Sequence, residues 1–152
     1  MSHRSIYLVR PPVVEDTELE VLESYERVYH YLEVASELWR LVGNQERARA
    51  IEQSVARAHD HHTPTLETAD IAKLLEQLEG LDVAVVGPLT DEHHMIAADK
   101  LPELRTRSEL LDLDEARGFD ARAAISEAII GVENLQGALR SALELGAHIV
   151  ID

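Results

Sequence analysis

The chain has no cysteine, which excludes disulfide cross-links and thiolate metal sites. Imidazole and carboxylate are left as its strong metal-binding side chains. One Phe, one Trp and four Tyr occur among 152 residues, so Leu, Ile, Val and Ala must fill the interior. Glycine and proline are also few, at seven and five, which favours long helices over frequent turns. Basic residues are outnumbered, 14 against 29 acids, for a net charge of −15. A broad surface for nucleic-acid polymers is excluded, because phosphate neutralisation needs clustered Lys and Arg. The same imbalance favours solubility and a basic protein partner. No apolar run approaches the roughly 18 residues of a membrane span. Ile6–Val9, ahead of Pro11-Pro12, is too short for a secretory signal. The expectation is a single cytoplasmic domain covering 1–152.

What is present is helical periodicity. Over 15–42, Leu19, Leu22, Tyr25, Tyr29, Leu32, Ser36 and Trp39 recur near helical spacing, and a second apolar series widens that face. Gly43-Asn44 ends this helix and caps the next, over 45–62, with Ala48, Ile51, Val55 and Ala58 inward. Thr65 is expected to cap a third helix carrying Ile71, Leu74, Leu75 and Leu78, stopped by Gly80. Residues 81–89 fit a short strand or a helical turn equally well. A fourth helix from Thr90 to about Leu101, an irregular acidic stretch over 103–120 and a last helix over about 121–145 follow. The closing "AHIVID" reads as extended or frayed. The expected architecture is all-α, a single helical bundle of five or more helices. Tyr and Trp positions spread around the first helix fit a wide core face or a homodimer contact.

Histidines and acids supply the candidate chemistry. A metal site on a helical scaffold needs imidazoles and carboxylates converging from separate helices. Three stations qualify: His30, expected mid-helix in "YERVYHYLEVASEL"; His59-Asp60, at the end of the second helix; and Asp99, beside an apolar stripe in "HHMIAADKLPELRTR". Each also has a plainer reading. His30 fits a half-buried amphipathic position, His59-Asp60 a polar helix terminus, and Asp99 a surface partner of Lys100 or Arg105. His93 and His94 read as first-turn polar residues of the fourth helix or as further members of the site.

The ordered set His30-x-x-x-Val34-Ala35, His59-Asp60, Asp99 resembles the HD-domain metal-dependent phosphohydrolases. Within that superfamily, "HTPTLETADIAKLLEQLEGLDVAVVGPLT" and "AADKLPELRT" resemble segments of the (p)ppGpp hydrolases. The resemblance implies an all-α HD-type fold and a divalent metal held by His30, His59, Asp60 and Asp99. It departs from the family at three places, one of which is the absence of their basic loop before the first metal histidine, since His30 is expected inside an unbroken acidic helix. His61-His62-Thr63 stands where those enzymes keep a Glu-Asp pair, and Glu103 stands in place of their nucleotide-contacting Asn. The HD nucleotidases acting on deoxynucleoside monophosphates match the same four ligands.

The implied activity is hydrolysis of a small nucleotide, either a (p)ppGpp-type pyrophosphohydrolase reaction or removal of a nucleoside phosphate. Mn²⁺ is the first candidate metal, with Fe, Co and Zn as alternatives. The metal would polarise a phosphoryl oxygen and acidify its bound water. His61, His62 or Glu67 would be the general base, and Lys100 and Arg105 would hold phosphate. The alternative is a binding protein: an HD fold without its catalytic carboxylates, or an acidic helical inhibitor of the immunity type.

Overall fold

The computed structural model describes residues 4–13, 18–61, 63–86 and 121–152. Four strands and five helices lie in that set: β1 (Ile6–Val9), β2 (Val21–Tyr25), α1 (Tyr31–Leu41), α2 (Gln45–His59), β3 (Thr65–Leu66), α3 (Thr68–Leu78), α4 (Leu81–Val86), α5 (Ala121–Leu145) and β4 (His148–Ile151). The strands form one antiparallel sheet in the order β2-β1-β4-β3. The fold is mixed α/β, and this sheet corrects the all-α expectation.

The correction has a physical source in sequence distance. β1 pairs with β4, Ile6 opposite Ile151 and Val9 opposite His148, so the first and last described elements lie side by side. Strands this short carry almost no signal of their own, and the long-range ladder stabilises them. "HIVI", expected to be extended or frayed, is an inner strand with Ile149, Val150 and Ile151 buried.

The expected helix over 15–42 divides in two. "VLESY" pairs with β1, with an irregularity between Leu8 and Val9, and Arg10 N donates to Glu20 O at 3.0 Å. Leu19 and Leu22 fit a helical repeat as readily as a strand. Arg27 settles the matter locally, because its φ of 57° lies in the left-handed region and breaks any helix there. α1 therefore begins only at Tyr31, with His30 as its N-cap residue rather than mid-helix. Its inward stripe is Tyr31, Leu32, Val34, Ala35, Leu38 and Trp39, all buried.

Gly43, at φ 88°, turns the chain out of α1, and the Asn44 side chain caps α2 by accepting from Arg47 N at 3.1 Å. α2 buries Ala48, Ile51, Ser54 and Ala58. Thr65 is not the cap of α3; it lies in β3 opposite Val150, and Glu67 is the N-cap residue. The 81–89 ambiguity resolves as helix from Leu81 to Val86. The expected fourth helix and acidic stretch lie outside the described residues.

One core joins sheet and helices: Ile6, Leu8, Ile149 and Ile151 from the sheet meet Leu32, Leu38, Ile51, Leu74, Leu135 and Leu139. Each such side chain contributes about 1.5–3 kcal/mol on burial. Polar ties fix the helix ends. Trp39 Nε1 donates to Gln77 O at 2.8 Å, with the Arg47 guanidinium 4.7 Å from its ring centroid. Gln136 donates to Leu78 O at 3.3 Å, tying α5 to α3. No described helix is long and apolar enough to cross a membrane.

Candidate functional site

α1 and α2 pack against each other and leave a cleft of about 500 Å³ along their exposed sides. Its floor is aliphatic: Leu32 and Ile51 are buried and Val55 half-buried. Its rim carries Glu33 and Glu37 from α1 and Glu52 from α2. Glu33 and Glu37 are four residues apart on one helix, so they line the same edge. Arg40, also on α1, bridges Glu52 across the cleft and Glu37 at 3.4 Å on its own helix. The Glu52 hydrogen bond is the main reason Arg40 is held even more firmly protonated than an ordinary arginine.

The other end of the cleft is closed by a side-chain pair. Tyr29 Oη and His59 Nε2 are 2.8 Å apart, and the rings meet edge to face with centroids 5.9 Å apart. Burial pushes the Tyr29 phenol up to about 12, against a smaller opposing effect of Arg4. The phenol therefore stays protonated at neutral pH and can donate to Nε2, an arrangement that leaves the neutral imidazole's proton on Nδ1.

The residues expected to form the metal shell divide. His30, nine-tenths buried, and His59, exposed at the end of α2, both line this cleft. His30 also stacks on Tyr31, with centroids 4.1 Å apart. Asp60 is the exposed C-cap residue of α2, with its backbone N–H donating to Arg57 O at 3.2 Å, and it does not line the cleft. Among the described residues, no group of three or more His, Asp or Glu side chains is placed to hold one metal ion. His30, His59 and Asp60 thus do not make a Mn²⁺, Fe²⁺, Co²⁺ or Zn²⁺ shell by themselves.

His61 and Glu67 line a separate cleft of about 250 Å³ with Thr63, Thr65 and His148. As general bases they are therefore not placed in the cleft that His30 and His59 line. His62, Asp99, Lys100 and Arg105 lie outside the described residues.

Tyr29, Glu33, Glu37 and Glu52 were not singled out by sequence reasoning. A signal for them existed: Glu33 and Glu37 lie one turn apart beside the apolar stripe of α1, and Glu52 directly follows the buried Ile51. Comparisons with protein-family models, characterised proteins and solved structures return no match.

Proposed function

We propose that this chain is an acidic binding protein, of the inhibitor or immunity type, which engages a basic protein partner. The observation that carries the reading is the carboxylate-rimmed cleft between α1 and α2, set in a chain of net charge −15. A field of one sign speeds the encounter with an oppositely charged protein, and a concave site with an apolar floor gives that encounter a place to become specific. The test is titration with two short peptides that share apolar residues and carry either Lys/Arg or Asp/Glu. The basic peptide should bind saturably and weaken steeply as salt is raised; equal behaviour of the two peptides would refute the reading.

His30 and His59, both lining the cleft, favour a second reading: divalent-metal-dependent hydrolysis of a nucleotide. It needs further ligands beyond those two imidazoles, with Asp99 as the distal carboxylate. Metal content after chelator-free purification decides it. Stoichiometric Mn, Fe, Co or Zn that is lost in His59→Ala, together with hydrolysis of a nucleotide panel, supports this reading. Metal-free protein contradicts it.

A further inference from the structure

We draw no further inference here: the strongest candidate, the smaller cleft at the start of α3 lined by His61, Thr63, Thr65, Glu67 and His148, rests on a helix N-terminus alone, since its buried Thr65 hydroxyl already donates to Thr63 O at 2.7 Å and, among the described residues, no three His, Asp or Glu side chains are placed to hold an ion.

Discussion

Two glycines of α5, Gly131 and Gly137, should respond to the same substitution with opposite signs. A Cβ on Gly131 would overlap the Cζ, Cε1 and Cε2 atoms of the Tyr31 ring, whereas a Cβ on Gly137 meets nothing within 4 Å. Tyr31 is 6 % exposed and belongs to the central core, so its ring cannot swing into solvent without emptying the contact between α1 and α5. Replacing glycine by alanine inside a helix is worth about 1 kcal/mol in backbone terms. Overpacking a core costs about 1–3 kcal/mol, and overlap with three ring atoms puts Gly131 at the upper end of that range. Gly131→Ala should therefore lose about 2 kcal/mol net, while Gly137→Ala should gain about 1 kcal/mol. In a domain of this size the loss corresponds to a fall of about 4–8 °C in Tm. Urea unfolding followed by far-UV circular dichroism reads both variants directly. Stabilisation by Gly131→Ala comparable to that of Gly137→Ala would refute the close approach of α5 to Tyr31.

Three further outcomes follow from local chemistry. The Tyr29 phenol, raised to about 12 by burial, holds its proton more tightly folded than unfolded; stability should be flat below about pH 10 and fall from there to about pH 12. Ultraviolet titration should show Tyr29 among the late-ionising tyrosines, a contribution lost in Tyr29→Phe, while Tyr25, raised by its hydrogen bond to Glu23, remains. Glu23 sits below the ordinary glutamate range because the Tyr25 hydroxyl, and then that of Ser141, donates to its carboxylate. Its small contribution is present above that range and lost as pH falls; carboxyl NMR should place Glu23 higher in Tyr25→Phe, with a smaller rise in Ser141→Ala. Trp39 is the chain's sole tryptophan and 4 % exposed, so its fluorescence should be blue-shifted and poorly quenched. Trp39→Phe, which removes the donor to Gln77 O, should cost about 1–3 kcal/mol through the unsatisfied carbonyl.

The helices were more legible in the sequence than the sheet. The stripe from Leu32 to Trp39, Gly43-Asn44 as stop and cap, and Ile71, Leu74 and Leu78 facing inward are all local features. The sheet depends on Ile6 meeting Ile151 across the whole chain, and no local window contains that pairing. Arg27 shows the limit from another side: a left-handed residue that is not glycine leaves no mark in periodicity. His59-Asp60 drew attention because the two are adjacent in sequence, yet the end of α2 directs only His59 to the cleft. Its partner there is Tyr29, thirty residues away, and an aromatic inside an apolar pattern is read first as core.

NMR mapping of a bound basic peptide tests most directly whether the cleft between α1 and α2 is the binding surface. The expected result is a saturable, salt-sensitive shift concentrated at Tyr29, Glu33, Glu52 and His59, which line the cleft. Saturable shifts centred on α3 or α5, with these four residues undisturbed, would contradict it.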